Sequence, residues 1–169
     1  DYAVNFAGLT QRAGNFLVAR EKIDNFSWDM VKGKNVLGGR KGGMPQMVLE
    51  YILKANNIDP ASDLSIDQSV DFGLTAGAFS GNTEYDFTVE FEPGATSLEK
   101  EGKGYVVASL GVDSGYVPYT AYSAKKSYIE KNPEIIKDFT SAIQKGLDYV
   151  NSHSSAEIAK VIAPQFEDT

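Results

Sequence analysis

The sequence predicts an α/β fold, and three observations indicate it. Strand-like and helical segments alternate between Lys34 and Leu110. A glycine-rich loop joins an apolar strand to an amphipathic helix in this region. Of the 169 residues, 42% are hydrophobic and 11% are aromatic, which is typical of a globular chain rather than a disordered one. Alternation of this kind implies a largely parallel sheet with helices on its faces.

The elements are expected in a regular order along the chain. Strands are predicted at residues 2–9, 15–19, 34–37, 64–70, 85–91, 104–110 and 117–123. Helices are predicted at residues 44–55, 76–80 and 93–98, and after the cap residues Asn132 and Ser154. Gly102 is expected to close the third helix. The second strand could form a hairpin with the first or belong to a bent crossover, and both remain open.

Residues 35–45, Asn-Val-Leu-Gly-Gly-Arg-Lys-Gly-Gly-Met-Pro, are the most informative stretch. A short apolar run ends at Gly38, and Pro45 suits the first turn of a helix because no partner is lost for its missing N–H there. Apolar residues recur 3, 4, 7, 8 and 11 positions after Met44, on one helical face. The free N–H groups and the dipole at such a helix start favour an anion.

The glycine loop does not identify a cofactor, and none is predicted. It lacks the G-x-G-x-x-G spacing of dinucleotide-binding loops, and Met44 stands where a Walker loop needs lysine. A phosphate-like or anionic ligand is one interpretation. The alternative is a glycine-rich connection that only lets the strand and the helix pack closely.

Ligands of parallel α/β sheets bind outside the carboxyl ends of the strands, where the loops 38–44, 71–75 and 91–93 are expected to meet. The backbone N–H groups of the glycine loop would face a ligand there, and a nearby arginine could pair bidentately with a carboxylate or sulfonate. The candidate ligand-binding residues are Arg40, Gly42, Gly43, Met44, Thr75, Glu92 and Tyr119.

Four of these side chains also have a purely structural interpretation. Arg40 could be a solvated loop charge, and Thr75 could be an N-cap. Glu92 could bind a ligand amine or pyrimidine, or favour the N-terminus of the following helix. Tyr119 combines apolar area with a polar tip, so it could line a cleft or pack in the core.

The composition argues against several functional classes. A net charge of −7, with no Lys/Arg cluster larger than a pair, argues against a nucleic-acid partner. The absence of cysteine excludes thiolate zinc sites, disulfides and cysteine catalysis. His153 has no Ser/Asp partner pattern, so we predict neither catalytic residues nor a metal site. The chain has no run of about 18 apolar residues and opens on no signal peptide, so we expect a mature or cut product.

The last third of the chain predicts two amphipathic helices and one strand, but no sheet broad enough to cover them. The sheet of the middle third has its own helices. We therefore expect that an N-terminal part of the same protein is missing from this chain and would complete a second, partial domain.

Several short motifs together resemble a known family. They are Leu9-Thr10-Gln11-Arg12-x-Gly14-x-Phe16-Leu17-Val18, Lys32-Gly33-Lys34, Tyr85-Asp86 and Phe91-Glu92-Pro93 after Gly81, Gly102-Lys103-Gly104, and Tyr128-Ile129-x-x-Asn132-Pro133-Glu134. In their order and spacing, over nearly the whole chain, they resemble the solute-binding proteins of ABC importers. The branch that they resemble is the NMT1-like one for nitrate, taurine, aliphatic sulfonates and thiamine-pyrimidine precursors. Phe91 stands where this family usually has tryptophan.

The resemblance implies a periplasmic-binding-protein-like (type II) α/β fold of two lobes, one complete in this chain and the other partial. Residues 34–110 would form the complete second lobe. Residues 1–33 would be a crossover strand and entry segment, and residues 111–169 the return crossover and C-terminal helices of the first lobe. The chain would be non-catalytic and extracellular, as a membrane-anchored lipoprotein or a periplasmic protein.

The function that the resemblance implies is capture of a small anionic or polar solute, such as a sulfonate, nitrate or a pyrimidine, in a cleft that closes by hinge motion. The partners would be that solute and a membrane permease. Two alternatives remain open: a pyrimidine-precursor synthase-like enzyme on the same fold, and the effector-sensing domain of a transcription regulator. The enzyme would need an iron site with histidine and cysteine, and one histidine with no cysteine argues against it.

Overall fold

A computed structural model describes residues 1–71 and 73–166 of the chain. It divides into two compact units by contacts between Cα atoms. The larger unit comprises residues 11–119, and the smaller unit comprises residues 1–10 and 120–169, of which the last three lie outside the described residues.

The strands and helices of both units follow in chain order. The strands are β1 (Ala3–Thr10), β2 (Asn15–Ala19), β3 (Asn35–Leu37), β4 (Ser65–Asp67), β5 (Phe87–Phe91), β6 (Tyr105–Ser109) and β7 (Thr120–Lys125). The helices are α1 (Met44–Ala55), α2 (Thr75–Gly81), α3 (Gly94–Lys100), α4 (Leu110–Asp113), α5 (Lys126–Lys131), α6 (Pro133–Ser152) and α7 (Ser155–Ile162). Two short 3-10 turns lie at Trp28–Val31 and Ala163–Gln165.

The larger unit contains a five-stranded sheet of order β4-β3-β5-β2-β6. Strand β3 runs parallel to β4 and β5, whereas β2 runs antiparallel to both β5 and β6. Strands β4, β3, β5 and β6 therefore share one direction, and their carboxyl ends lie at one edge of the sheet. The predicted α/β fold is confirmed, but the sheet is mixed because β2 is inserted between β5 and β6.

Local sequence signals set several boundaries of these elements. Strand β2 and helix α1 have the predicted bounds, and Gly102 follows the C-cap of α3 with a positive φ of 67°, as predicted. The prediction that Thr75 caps α2 is wrong, because Leu74 is the N-cap and Thr75 is the first helical residue. Strand β7 begins at Thr120 instead of residue 117, because its bounds follow its pairing with β1.

The two faces of the large sheet carry separate apolar clusters. Leu17 packs on the face covered by α1, together with Val89 of β5 and buried residues of that helix. Val18, the next residue of β2, packs on the opposite face with Phe79 of α2 and Leu98 of α3. Because both faces are covered by helices, both side-chain directions of the central strands are buried.

The smaller unit is a two-stranded antiparallel sheet, β1 with β7, followed by α5, α6 and α7. Phe139 of α6 packs edge-on against Phe6 and Tyr122, with ring centroids 5.9 and 4.9 Å away. The predicted capping box at the start of α7 is present between Ser154 and Glu157. None of the three helices has a buried residue within the part of the chain that the structure describes.

No helix among the described residues has both the length and the apolar character needed to cross a membrane.

Candidate functional site

The carboxyl edge of the large sheet is built by close packing of the glycine loop. The Gly38 N–H donates to Asp67 O at 2.9 Å, which ties the end of β3 to the end of β4. A Cβ added at Gly38 would lie 2.3 Å from Ile66 Cγ2, so a residue with a side chain does not fit there without a shift. The glycine therefore lets the chain turn directly from β3 into the loop that starts α1.

The loop uses some of the N–H groups that were predicted to face a ligand. Gly42 has a positive φ of 78°, and its N–H donates to Gln46 Oε1. Gly43 is the N-cap of α1, and its N–H donates to Arg40 O at 3.1 Å. Among the described residues, the Met44 N–H has no acceptor. Of the three predicted donors, Met44 is thus the one left for an external acceptor at the positive end of α1.

Positive charge lies beside this helix start. Arg40 and Lys41 are exposed, and neither forms an ion pair with a described residue. The Arg40 carbonyl accepts a hydrogen bond from the Gly43 N–H, and the residue is exposed. A helix N-terminus flanked by two unpaired cations can attract an anion.

The predicted site residue Thr75 lies in a buried polar cluster that the sequence analysis missed. The Thr75 hydroxyl donates to Glu90 Oε2 at 3.0 Å, and the Thr88 hydroxyl donates to Glu90 Oε1 at 2.7 Å. Glu90 is 4% exposed. A Cβ added at Gly94, the first residue of α3, would lie 3.2 Å from Glu90 Oε2, so this glycine leaves room for the carboxyl group.

Burial determines the electrostatics of this cluster. It raises the pKa of the Glu90 carboxyl, and the hydrogen bonds from Thr88 and Thr75 partly oppose that rise. No Lys or Arg of the described chain forms an ion pair with Glu90. The signal in the sequence was a carboxylate between Val89 and Phe91, in a strand whose two faces are both covered.

Glu92 has its hydrogen bonds within the chain. Its two carboxylate oxygens accept from the Thr96 N–H at 3.1 Å and the Thr96 hydroxyl at 2.9 Å. Thr96 belongs to the first turn of α3, so the carboxylate satisfies a free N–H group at that helix start. Of the two interpretations of Glu92, this contact favours the structural one.

Tyr119 and Asn15 carry the buried polar side-chain atoms that have no hydrogen-bond partner among the described residues. Tyr119 packs against the apolar cluster that contains Leu17, and its Oη atom is buried. Burial raises the pKa of Tyr119 to about 12. Asn15 is fully buried, and neither Nδ2 nor Oδ1 has a partner among the residues that the structure describes. Asn15 is not among the residues predicted from the sequence.

The described residues contain no group of three or more His, Asp or Glu side chains that could hold a metal ion. The arrangement at the carboxyl edge therefore consists of a helix start, exposed cations and buried hydrogen-bonding groups.

Comparison with known proteins places the chain in a family. Residues 14–163 match the sequence profile of the NMT1-like family. The chain belongs to this family. A curated relative, YtlA of Bacillus subtilis (strain 168), which is named as a binding protein, is 48% identical over 169 residues. The match covers 100% of the chain and 50% of the relative, so the chain spans about half the length of the curated relative it matches.

Solved structures of two sulfonate-binding proteins share the fold. The periplasmic aliphatic sulphonate binding protein SsuA from Escherichia coli has a TM-score of 0.70 at 17% identity, covering 85% of the chain and 47% of that protein. The alkanesulfonate-binding protein SsuA from Xanthomonas axonopodis pv. citri, bound to MOPS, has a TM-score of 0.74 at 14% identity, covering 95% of the chain and 55% of that protein. The predicted periplasmic-binding-protein-like fold, present in part, is confirmed.

Proposed function

We propose that this chain is part of the solute-binding component of an ABC importer and that it captures a small anionic or polar solute without transforming it. The observation that carries the proposal is the start of α1 at the carboxyl edge of the sheet. There the Met44 N–H has no acceptor among the described residues, and Arg40 and Lys41 are exposed and unpaired. Membership of the NMT1-like family and the binding-protein name of YtlA support it.

The chemistry of this edge supports a small anion as the solute. A helix N-terminus with two neighbouring cations suits a sulfonate, a nitrate ion or another small anion. Proteins of the same fold, named as sulfonate-binding proteins, point to the same class. Arg40, Gly43 and Met44 are the residues that we propose next to the anion, with Gly42 shaping the loop and Thr75, Glu92 and Tyr119 at its margin.

Capture would require more of the protein than this chain contains. We propose that residues of the complete protein outside this chain supply the opposite wall of the cleft, that the two lobes close on the solute, and that a membrane permease accepts it. An extracellular protein, periplasmic or anchored as a lipoprotein, fits that role.

A thermal-shift screen of the full-length protein tests this function. The probes are taurine, alkanesulfonates, nitrate and pyrimidines, and a true ligand stabilises by about 2.7 kcal/mol at a hundredfold excess over its Kd. Arg40→Gln should weaken binding of an anionic probe. Lys100→Gln, which removes the same charge from an exposed position in the last turn of α3, is the matched control and should bind normally. No shift with any probe, or turnover of one of them, would contradict the proposal.

A further inference from the structure

Asn15 is a polar residue at a position that faces the apolar core. It is the first residue of β2, whose residues Leu17 and Ala19 point to the same face two and four positions later and belong to the core cluster on that face. Asn15 is 0% exposed, as are Leu17 and Val18 of the same strand. A leucine has the same branched heavy-atom skeleton as asparagine and would fill this position without polar atoms.

The amide of Asn15 has no hydrogen bond to the described residues, whereas the buried polar groups of the Glu90 cluster are paired. The amide can donate two hydrogen bonds through Nδ2 and accept through Oδ1, and neither atom has a partner in the described part of the chain. The hydroxyls of Thr75 and Thr88 both donate to Glu90. A buried polar group without a partner destabilises the conformation in which it is found.

Asn15, with its unpaired amide, lies at the same edge of the sheet as the proposed site. Because β2 is antiparallel to its neighbours, its first residue lies at the carboxyl edge, and Asn15 pairs with Phe91, directly before Glu92. Helix α4 packs so closely over the segment before β2 that a Cβ at Gly111 would lie 2.2 Å from Ala13 O. Tyr119 packs against the cluster on the same side of the sheet, and its buried Oη likewise has no hydrogen-bond partner within residues 1–71 and 73–166.

We propose that Asn15 and Tyr119 are specificity-determining residues whose side chains gain hydrogen bonds when the solute binds. This inference rests on the proposed function. The two groups have no hydrogen-bond partner among the described residues, which raises the free energy of this conformation. If the bound solute forms hydrogen bonds with both groups, the bound state does not have this free-energy cost. Binding is favoured by that difference, because a ligand shifts an equilibrium by its differential interaction with the two states.

Two near-isosteric variants of the full-length protein test the inference. Asn15→Leu removes the amide, and Tyr119→Phe removes only the hydroxyl. The measurements are the Tm of the solute-free protein and the Kd for the probe that gives the largest thermal shift in the screen. We expect the solute-free Tm to stay equal or rise in both variants, and the Kd to weaken at least tenfold.

Thr88→Val is the calibration for a structural role, since it removes a paired buried hydroxyl and should lower the solute-free Tm. A fall of the same size in Asn15→Leu and Tyr119→Phe would overturn the inference. A Kd less than tenfold weaker in both would also overturn it. If Asn15→Leu does not fold, Tyr119→Phe decides alone. If the wild-type protein binds no probe, the proposed function itself fails, whereas normal wild-type binding with unaffected variants rejects only the inference.

Discussion

The two units of the chain differ in how they bury their apolar residues. Every buried apolar residue of the described chain lies between Ala13 and Leu110, within the larger unit. The smaller unit instead exposes large apolar side chains on its helices, among them Ile135 at 54%, Val150 at 52% and Val161 at 60%. The larger unit can therefore be stabilised by its own core, whereas the helices of the smaller unit leave much of their apolar faces uncovered.

This difference supports the proposal that the full-length protein supplies more structure around the smaller unit. Amphipathic helices obtain most of their stability from packing of the apolar face. Helix α6 has 20 residues and a clear apolar stripe, yet none of its residues is buried. The relative YtlA is about twice as long as this chain, which leaves enough sequence to cover such a face.

The largest expected effect is a contrast in hydrogen exchange between the units. In the 169-residue chain, backbone amides of the central strands β2 and β5 should exchange at least about 100-fold more slowly than those of α6, because opening of an uncovered helix costs little. Exchange measured by mass spectrometry would show it. Equal protection in both regions would contradict the difference in burial between the two units. A rise in α6 protection in the full-length protein would show that the rest of the protein covers this helix.

The next largest effect comes from the same substitution made in each unit. Leu17→Ala, in the centre of the large sheet at 0% exposure, should lower the free energy of unfolding by about 2.7–5 kcal/mol. Leu147→Ala, at a half-buried position of α6, should cost about 1 kcal/mol or less in this chain. Urea denaturation would measure both. If the full-length protein covers the apolar face of α6, Leu147→Ala should lower the free energy of unfolding more there than in this chain. An equal loss in both would contradict the proposal that the full-length protein covers this face.

Local patterns in the sequence were sufficient for elements whose signals lie within one segment. The apolar periodicity after Met44 and the proline at the next position gave the bounds of α1, and the capping box gave the start of α7. The place of β2 in the sheet could not be derived in this way. Its pairing with β5 and β6 is a long-range contact, and the five residues of β2 read equally well as a hairpin or a crossover strand.

The place of the glycine loop in the sheet was predicted because backbone geometry determines it, whereas buried polar residues were missed because tertiary packing determines their burial. The loop from Gly38 to Met44 lies at the carboxyl edge, as its position after a strand indicated. Glu90 and Asn15 were missed because a polar residue next to apolar ones in a strand normally faces solvent, and only coverage of both faces of the sheet buries them. The role of the predicted residues in ligand binding stays a prediction.

Removal of a helix cap should lower the free energy of unfolding by about 1 kcal/mol in the larger unit and have little effect on it in the smaller unit. Glu92→Ala removes two hydrogen bonds to Thr96 at the start of α3, whose residues Ala95 and Leu98 are buried, so the loss should appear in global unfolding. Ser154→Ala removes the capping box of α7, which has no buried residue. Its loss should appear as faster exchange in α7 with little change in the denaturation midpoint. A global loss from Ser154→Ala would contradict the comparison.

The smallest effect is a pH dependence confined to the larger unit. Burial raises the pKa of Glu90 above the ordinary glutamate value of 4.5, so the folded chain binds this proton more tightly than the unfolded chain. The stability that the protonated group gives is therefore present below pH 4.5 and is lost as pH rises through the raised pKa. Glu90→Gln, which stays neutral, should gain stability relative to wild type as pH rises from 4.5 to neutral.

Thr88→Val should change the pH dependence of stability in the direction opposite to Glu90→Gln. The Thr88 hydroxyl donates to the Glu90 carboxylate and lowers its pKa, so its removal should raise that pKa further and steepen the loss of stability toward neutral pH. Urea denaturation at several pH values would measure both slopes. Parallel profiles for wild type, Glu90→Gln and Thr88→Val would mean that the carboxyl group is solvated in solution. The larger unit would then bury less polar surface than its structure indicates, and the contrast with the smaller unit would rest on apolar packing alone.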